Sequence, residues 1–580
     1  MFKSLIPWKN YSRRIRRVLL LIVILIIFCF FTASFGQKKP NIVWIVCEDI
    51  SPFLGAYGDS IVKTPNIDSL AREAVLFTKA YTTAGVCAPS RSSIITGMHA
   101  ISIGAQHMRT LSSSPFFMPQ GLPSYSAVLP DYVKAFPEYL RAKGYYTTNN
   151  YKEDYQFEEP VTVWDDSSPA ASYKYRPKNT PFFSVFNLAI THESKLMVSP
   201  DSIRYDPNDM KLPPYYVDTE TARNDMAVLY TRIEQMDRAV GEIVGGLKNN
   251  KVYDDSYVIF FSDHGGCMPW TKREILERGT HIPLIVKYPK NRFAGTKDDR
   301  LVSAVDLAPT MLSIAGIEPP DHLQGTAFLG PLKKKEERKY VFAARDRMAN
   351  KYDRVRSVSD GNFRYVYNFM PELPKYQDLQ YRKGIPTMKE ILELHEMGRL
   401  DNPNLLDWFA KNKPTEELYH TKMDPNEVRN LADEPQYTAK KKELKEALFD
   451  WIAEVGDLSS IPEKEMVFNN WWKNKKGPPK TSPPKVIRNK KGYTIECGTK
   501  GASIGYRIVE QNNQALNSKR RTESWDFGFT IDQNKTVAYV DVPQPWKVYQ
   551  GETIKLKKGQ TLLINAHRIG YLPSEVTYTH

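Results

Sequence analysis

Stretches with the composition of buried strands alternate with helix-like patterns through the first half of the chain. They cover residues 40–49, 74–77, 145–152, 181–188, 256–261 and 280–287. A run such as residues 40–47, apolar at nearly every position, is typical of a strand covered on both faces of a parallel sheet. Residues 220–248 instead have the apolar spacing of a long amphipathic helix. This alternation predicts an α/β fold, a large and mostly parallel sheet flanked by helices.

Polar residues that can bind ions or transfer protons recur directly after these predicted strands. They are Glu48 and Asp49, Lys152, His192, and the pair Asp263 and His264. Ligands of open α/β sheets bind at the carboxyl ends of the strands, so we expect these side chains to meet at one edge of the sheet. Paired carboxylates in such a place are costly unless they meet cations. A solvated loop is the alternative interpretation of Glu48 and Asp49.

The pattern changes after the α/β domain predicted at residues 37–335. Short β-type pieces and a helix at residues 336–472 predict a smaller α+β subdomain. Residues 473–485 are rich in Lys and Pro and are interpreted as a linker. Residues 486–580 alternate short strands with turns, which predicts an appended small β-sandwich. This accessory domain is either a spacer or a sugar-binding module.

The N-terminus has the pattern of an export signal. Basic residues precede an apolar run at residues 18–31, and small residues follow the run as far as Gly36. A signal peptide is therefore predicted at residues 1–36. Because the apolar run is shorter than the roughly 20 residues of a membrane span, a retained anchor is only the alternative. We expect an exported protein that is periplasmic, secreted or on the cell surface, with no membrane attachment after cleavage.

Charge and cysteine content narrow the classes of function. The net charge is +14, and loss of the predicted signal would leave about +8, a mildly basic balance that suits an anionic substrate. The sequence has no nucleic-acid-binding motif, so no nucleic-acid partner is expected. The four cysteines after the predicted signal are scattered and form no Cys-x-x-Cys pair, which argues against a disulfide framework.

The stretch Cys87-Ala88-Pro89-Ser90-Arg91 is the most informative motif in the chain. Pro89 suits the start of a helix and Gly97 its end, so Cys87 is predicted at a helix N-terminus with Arg91 one turn away. Free backbone amides and the helix dipole favour an anion at that position. A buried, inert thiol beside a surface arginine is the alternative.

The pentad resembles the Cys-x-Pro-Ser-Arg signature of the type I, formylglycine-dependent sulfatases of the alkaline phosphatase-like superfamily. The Glu48-Asp49 pair, Thr-Asn-Asn-Tyr-Lys-Glu-Asp-Tyr at residues 148–155 and Asp-His-Gly-Gly at residues 263–266 are most similar to heparan-sulfatase-like and ulvan-type bacterial polysaccharide sulfatases. The resemblance covers residues 38–470. It implies the fold of that superfamily and hydrolysis of sulfate esters on a sulfated carbohydrate, in polysaccharide degradation.

The resemblance implies a modified residue and a metal ion. Cys87 would be oxidised to formylglycine (3-oxoalanine) by a formylglycine-generating or anaerobic sulfatase-maturating enzyme. One hydroxyl of the hydrated aldehyde would attack sulfur, and the second would then lose its proton so that sulfate is released. One Ca²⁺, or alternatively Mg²⁺, would be held by oxygen-rich ligands. These ligands would be Glu48, Asp49, Asp263, His264 and the modified Cys87.

Further site residues follow from the same resemblance. Arg91 would hold the formylglycine diol, and Lys152 would bind the sulfate. His192 would be the general acid, and Lys272 would act on the leaving-group side. Asp154 stands where the family has a histidine that assists deprotonation of the diol, so the residue for that role is left unassigned.

Arg345 and Arg347 follow a predicted strand of the second subdomain. They are predicted to reach the cleft and bind a sugar carboxylate bidentately, with a solvated, salt-bridged loop as the alternative. Two other functions are considered: a phosphomonoester or phosphonate hydrolase of the same superfamily, and a non-catalytic glycan-binding protein on a sulfatase fold. The choice between a glycosaminoglycan and an algal polysaccharide such as ulvan stays open.

Overall fold

A computed structural model describes residues 39–510, 517–521 and 539–579 of the chain. The predicted signal peptide at residues 1–36 lies outside this range. Within the range, no helix has both the length and the apolar character needed to cross a membrane.

An eight-stranded sheet forms the main scaffold, with the strand order β4-β3-β5-β1-β6-β7-β2-β8. Only β7 runs antiparallel to its neighbours, so the predicted large and mostly parallel sheet is confirmed. The strands are β1 (Asn41–Cys47), β2 (Val75–Tyr81), β3 (Tyr146–Asn150), β4 (Asp166–Ser167), β5 (Phe182–Leu188), β6 (Ser256–Ser262), β7 (His281–Lys287) and β8 (Thr296–Ser303).

Helices cover both faces of this sheet and complete the α/β architecture. The α-helices of the described residues, including those outside this sheet, are α1 (Pro65–Arg72), α2 (Cys87–Thr96), α3 (Pro137–Ala142), α4 (Glu220–Asn249), α5 (Glu277–Thr280), α6 (Leu307–Ile314), α7 (Pro386–Glu396), α8 (Pro403–Phe409) and α9 (Thr438–Val455), and a π-helical segment lies at Glu465–Trp471. The long helix α4 is the one predicted from its apolar spacing, because Met226, Ile233 and Val240 lie on its buried side.

The central strand β1 explains how the two faces are filled. All seven of its residues are buried, and it pairs in parallel with β5 and β6. Successive side chains of a strand point to opposite faces. Val43 and Ile45 therefore pack in the core that contains α4, while Ile42 and Trp44 pack in the core that contains α2 and α6. A strand buried on both faces needs apolar residues at both alternations, which is the pattern seen in the sequence.

A second, antiparallel sheet follows, in the order β12-β11-β10-β9. Its strands are β9 (Val341–Arg345), β10 (Val355–Ser359), β11 (Arg364–Asn368) and β12 (Glu416–Tyr419). Helix α9 packs against it through Leu444 and Leu448, which share a core with Val358 and Tyr365. This is the α+β arrangement predicted for the middle of the chain.

Further antiparallel sheets occupy the C-terminal part. Strand β13 pairs with β14, β16 pairs with β17, and a third sheet has the order β18-β15-β19-β20. The strands are β13 (Lys485–Asn489), β14 (Gly492–Glu496), β15 (Ser503–Glu510), β16 (Asn517–Arg521), β17 (Tyr539–Pro543), β18 (Lys547–Val548), β19 (Gln560–His567) and β20 (Thr577–Thr579). Lys134 Nζ lies 2.7 Å from Ser503 Oγ, so this part contacts the α/β part directly. Its role as spacer or sugar-binding module stays a prediction.

Candidate active site

The predicted site residues lie at one edge of the main sheet. The neighbouring strands β3, β5, β1 and β6 run parallel, and their carboxyl ends lead into the loops that carry these residues. The loop residues are Lys152 and Asp154 after β3, His192 and Glu193 after β5, Glu48 and Asp49 after β1, and Asp263 and His264 after β6. The structure therefore brings together residues that are far apart in sequence.

Helix α2 delivers Cys87 to this edge. The helix begins at Cys87 itself, two residues before the predicted start, and ends at Gly97 in the left-handed conformation with φ 68°. All ten residues of α2 are buried. Gly85 lets the preceding loop pack closely on the chain at Glu274, since a Cβ at Gly85 would lie 2.1 Å from the Glu274 backbone oxygen. The position of the thiol is thus fixed by the helix start and by the loop before it.

The thiol of Cys87 faces a carboxylate and an imidazole. Its Sγ lies 3.3 Å from Nε2 of His264 and 4.0 Å from Oδ1 of Asp49. His264 Nε2 is also 2.9 Å from Asp49 Oδ1, and Nδ1 of the same ring is 2.8 Å from the backbone oxygen of Gly265. Cys87, Asp49 and His264 are each fully buried. Chemically active groups of this kind are rarely buried together without a shared ligand or reaction.

Arg91 links the end of β6 to the end of β5. Its Nε donates to Asp263 Oδ2 at 2.9 Å, and its Nη1 donates to Asn187 Oδ1 at 2.8 Å. Its Nη2 lies 3.8 Å from Glu48 Oε1. Because α2 fixes the backbone of Arg91 one turn after Cys87, the guanidinium is held in place between the two acids.

Two lysines neutralise the carboxylates at this edge. Lys152 Nζ lies 2.6 Å from Glu48 Oε2. Lys272 Nζ lies 2.5 Å from Asp49 Oδ2 and 3.2 Å from Glu193 Oε1. Both ammonium groups are therefore anchored beside the thiol, and Lys272 is almost fully buried.

The cations change the acidity of Cys87. Burial acts to raise the pKa of its thiol, but the charges of Lys152, Lys272 and His264 lower it to about 6. Burial also opposes a charge on His264, yet Asp263 and Asp49 raise the pKa of its imidazole to about 10. Lys272, His192 and His264 hold the pKa of Asp49 well below its usual range despite its burial. The centre is thus built to hold negative charge at position 87.

His192 brings a ring nitrogen to the same centre. The backbone N–H of Ser194 donates to its Nδ1 at 3.3 Å, and the Ser194 hydroxyl lies 2.9 Å from the same nitrogen. With Nδ1 accepting, the proton of the neutral ring is on Nε2. A ring nitrogen of His192 groups with ligand atoms of Glu48, Asp49 and Cys87, all within 4.8 Å of one another. The ring can therefore donate a proton beside Cys87.

Sequence reasoning missed three residues that support the centre. Asn187 accepts from Arg91, and Glu193 binds Arg273 through two hydrogen bonds of 2.6 and 2.9 Å. The backbone N–H of Glu193 also donates to Asp49 Oδ2 at 2.8 Å. Glu193 directly follows His192 and Arg273 directly follows Lys272, so adjacency to the predicted residues was the available signal.

Asp154, which stands where the resembled family has a histidine, lies in an environment that suits a carboxylate. Its Oδ1 accepts from Nη1 of Arg109 at 2.9 Å, and its Oδ2 is 3.9 Å from Lys152 Nζ. Burial opposes ionisation, but Arg109 and Lys152 lower the pKa of this carboxyl below its ordinary value. An ionised carboxylate therefore lies here, paired with Arg109, an arginine that the sequence did not point to.

The structure does not bring Arg345 and Arg347 to the cleft, contrary to the sequence prediction. Arg345 is buried between Glu274 and Asp353, with nitrogen–oxygen distances of 2.6 Å to each. Arg347 is fully buried and binds Glu463 through two 2.7 Å hydrogen bonds. Their guanidinium groups satisfy carboxylates inside the protein, so binding of a sugar carboxylate is not open to them in this arrangement.

The donor set at the edge fits a hard divalent cation. Asp49, Cys87, Asp263 and His264 offer ligand atoms within 4.8 Å of one another. Within the described part of the chain, the buried Oε1 of Glu48 accepts no hydrogen bond, which leaves an acceptor available beside this group. Clustered carboxylate oxygens are the ligands that Ca²⁺ and Mg²⁺ prefer, and a bound cation would take the place of the proton on His264.

Known proteins resemble this chain in sequence and in fold. A family model described as Sulfatase matches residues 40–195 and 163–317. An ulvan-active sulfatase of Formosa agariphila is 40% identical over 574 residues, which covers 93% of this chain and 91% of the relative. The chain belongs to the sulfatase family. It is accordingly a sulfuric ester hydrolase.

More distant sulfatases agree in sequence and in fold. The human N-sulphoglucosamine sulphohydrolase is 27% identical over 465 residues, covering 72% of this sulfatase and 91% of the human protein. The solved structure of a 2-O GAG sulfatase has a TM-score of 0.53 at 18% identity, covering 73% of this chain and 94% of that one. The structural likeness confirms the predicted alkaline phosphatase-like fold.

Proposed function

We propose that this sulfatase removes sulfate groups from a sulfated polysaccharide or its oligosaccharide fragments. The observation that carries the proposal is the environment of Cys87, a buried thiol at a helix N-terminus surrounded by Lys152, Lys272 and His264. The ulvan-active relative, 40% identical along nearly the whole chain, supports a polysaccharide substrate. Comparison of sulfate release from ulvan and from glycosaminoglycans distinguishes these two substrates.

We infer that Cys87 is the precursor of formylglycine, made by a maturation enzyme that reads the Cys-x-Pro-Ser-Arg pentad. The hydrated aldehyde would supply a hydroxyl nucleophile toward sulfur and a second hydroxyl whose deprotonation releases sulfate. The surroundings of position 87 support this proposal, since the cations that lower the pKa of the thiol would also stabilise an oxyanion there.

The cations of the site have separate tasks in this proposal. Arg91, held by Asp263 and Asn187, keeps its guanidinium beside position 87 and orients the group there. Lys152 and Lys272 stand among the carboxylates and offset the negative charge of an entering sulfate ester. Fixed cations in a site closed to water stabilise developing charge far better than cations in solution do.

His192 is proposed as the general acid for the departing alcohol. Its Nδ1 accepts from Ser194, so Nε2 carries the proton that can be donated. A sugar alkoxide is a poor leaving group, and its protonation in the transition state removes most of that difficulty.

A single Ca²⁺ is proposed at the carboxylate cluster, with Mg²⁺ as the alternative. Glu48, Asp49, Asp263 and His264 would hold it together with residue 87, and it would supply positive charge for the sulfate oxygens. Equilibrium dialysis of chelator-treated protein against Ca²⁺ is expected to show a single bound ion, which Asp49→Asn abolishes. Wild-type protein that binds none would contradict the assignment.

We propose that the protein is exported, with residues 1–36 as its signal peptide and the periplasm as its main location. Cell fractionation with an antibody against the C-terminal part is expected to find a chain that starts at Gln37 outside the cytoplasm. A full-length chain in the cytoplasm would contradict this.

Substrate profiling tests the reaction. Protein produced together with a formylglycine-generating enzyme is incubated with ulvan, heparan sulfate and chondroitin sulfate oligosaccharides. Aryl sulfate, phosphate and phosphonate esters form the comparison set. Ion chromatography is expected to detect sulfate from at least one glycan and much slower release from the phosphorus esters. Faster release from a phosphate or phosphonate ester would favour the phosphohydrolase alternative, and binding without any release would favour the glycan-binding one.

A further inference from the structure

Arg109 lies beside the active site, and its side chain is partly open to solvent. Its side chain is 35% exposed, whereas that of Arg91 is 6% exposed and that of Arg273 is 10% exposed. The preceding residue, Met108, packs in the same small cluster as Cys87. Arg109 therefore lies next to the catalytic centre and keeps part of its side chain open to solvent.

The guanidinium of Arg109 is anchored at one nitrogen only. Nη1 donates to Asp154 Oδ1 at 2.9 Å, while Nε and Nη2 donate to no partner within the described residues. The anchored nitrogen holds the group beside Asp154 and leaves Nε and Nη2 available as donors. A guanidinium in this state is suited to bind an anion through two parallel hydrogen bonds.

Tyr381 is a second partly exposed residue near Arg109. Leu379, two residues before it, packs in the same small cluster as Met108 and Cys87, and the Tyr381 ring is 6.3 Å from the ring of Phe117. Phe117 and Met108 lie close together, because Nη1 of Arg347 donates to the backbone oxygens of both, at 3.2 and 3.0 Å. Tyr381 is therefore near Arg109, the residue after Met108. Tyr381 is 38% exposed, which leaves part of its aromatic surface available for a contact.

We propose that Arg109 and Tyr381 form a recognition subsite for a second anionic group on the substrate. Arg109 binds a carboxylate or a second sulfate on the sugar that carries the hydrolysed ester or on its neighbour. Tyr381 packs against an apolar face of a sugar ring. The subsite rests on the proposed function, since it selects among sulfated glycans for those with an additional acidic group.

Asp154 acts in this subsite as a positioning residue. Its carboxylate ties Arg109 to the loop that carries Lys152, so the distance from the sulfate-binding lysine to the second anion is set by one short segment. Asp154→Asn keeps the acceptor oxygen and should retain selectivity in part, while Asp154→Ala should lose it. A purely structural role would lower the activity on every substrate alike.

The test compares four substrates with matched variants. They are a sulfated oligosaccharide with a uronate, the same compound after reduction of its carboxyl to an alcohol, a form that lacks any second sulfate, and an aryl sulfate. Arg109→Ala is expected to lower kcat/KM by about 10- to 100-fold on the acidic oligosaccharide, mainly through KM. Its effect on aryl sulfate should stay within about twofold. Arg204→Ala, which removes another partly exposed arginine from its partner Glu234, is the control and should change nothing.

Each outcome has a defined meaning. The measure is the difference in kcat/KM between wild type and Arg109→Ala. If this difference disappears on the carboxyl-reduced substrate, the ligand of Arg109 is a carboxylate. If it disappears on the substrate without the second sulfate, the ligand is a sulfate. An equal loss on acidic and neutral substrates would overturn the subsite. If Arg109→Ala does not fold, Arg109→Gln is compared with wild type in the same way. Failure of wild-type protein to release sulfate from any substrate would count against the proposed function instead.

Tyr381 is tested separately. Tyr381→Ala is expected to raise KM for oligosaccharides by several-fold, about the effect of losing one aromatic contact, with little change for aryl sulfate. Tyr381→Phe keeps the ring and should behave as wild type. A Phe variant as impaired as the Ala variant would show that the hydroxyl, not the ring face, makes the contact, and would contradict the packing role.

Discussion

The centre around Cys87 and the ion pair between Arg347 and Glu463 are both closed to solvent, yet they are built differently. Glu463 accepts hydrogen bonds from Nε and Nη2 of Arg347, at 2.7 Å each, and from the hydroxyls of Tyr125 and Tyr352. Its two oxygens have no capacity left. Glu48 lies at the edge of the active centre. Its Oε2 accepts a hydrogen bond from Lys152, and its Oε1 accepts none within the described residues.

The number of unfilled acceptor positions on a buried carboxylate indicates whether a ligand binds there. A buried carboxylate whose acceptor sites are all filled stabilises the fold and offers nothing to a substrate. Buried charges with unfilled positions, such as Glu48 Oε1 and Arg91 Nη2, are unfavourable in isolation and indicate that another charged group completes them. We therefore expect changes at Cys87 to remove activity while keeping the fold, and changes at Arg347 to do the reverse.

The largest effect is expected for Cys87→Ala. Sulfate release should fall by about 10⁴-fold or more, because the precursor of the nucleophile is gone, while the thermal midpoint stays close to that of the wild type. Released sulfate and circular dichroism are measured on the same preparation. Cys497→Ala, at a half-buried thiol of the C-terminal part, is the matched control.

His192→Ala should have the next largest effect on catalysis. We expect kcat to fall by about 10²- to 10⁴-fold on a sugar sulfate, because its leaving alcohol needs a proton. On 4-nitrophenyl sulfate the loss should be much smaller, since that leaving group departs as an anion. His395→Ala, an exposed histidine that stacks on Phe409, serves as the control. Equal losses on both substrates would rule out the role of general acid.

Arg347→Met should affect stability instead. Removing the guanidinium deprives the buried Glu463 carboxylate of its two 2.7 Å hydrogen bonds from Arg347, which should lower the free energy of unfolding by about 3–5 kcal/mol. Urea denaturation measures this loss, and kcat per folded molecule should remain near that of the wild type below the transition. A variant with wild-type stability and reduced kcat would contradict the separation between the two regions.

Acid should weaken the same pair. Burial acts to raise the pKa of Glu463, but His107 and Arg347 lower it to about 2. The folded-state value lies below the ordinary value of about 4.3, so the pair contributes stability above about pH 4.3 and loses it as the pH falls toward about 2. The full loss is about 3 kcal/mol at 1.36 kcal/mol per pH unit.

Glu463→Gln isolates this contribution. The difference in unfolding free energy between wild type and Glu463→Gln should shrink as the pH is lowered from 7 through the acid range, because only the wild type has the titrating carboxyl. Urea unfolding at several pH values gives the difference. A difference that stays constant with pH would show that Glu463 does not carry the expected charge.

Much of this site was accessible from the sequence because each part has a local signal. Apolar runs predicted the buried strands, and the carboxyl ends of parallel strands meet at one edge, so Asp49, Lys152, His192 and Asp263 could be expected together. The strand order and the antiparallel direction of β7 have no such signal, because they are set by pairing between distant segments.

Arg347 and Arg109 show why the remaining residues could not be placed. Both are arginines in polar stretches, and nothing beside them in sequence distinguishes them. Arg347 is buried because Glu463, 116 positions later, supplies a matching carboxylate. Arg109 is held beside the active site because Asp154, 45 positions later, anchors it. Pairing over such distances depends on the tertiary fold, and only the fold decides which guanidinium remains available to a ligand.

The mass of the peptide that contains residue 87 tests the central claim most directly. Protein produced with a formylglycine-generating enzyme should yield a peptide in which the SH group and one Cβ hydrogen are replaced by an aldehyde oxygen. The fraction of converted chains should rise in proportion to sulfate release across preparations. Fully active protein with an unmodified Cys87 would contradict the account.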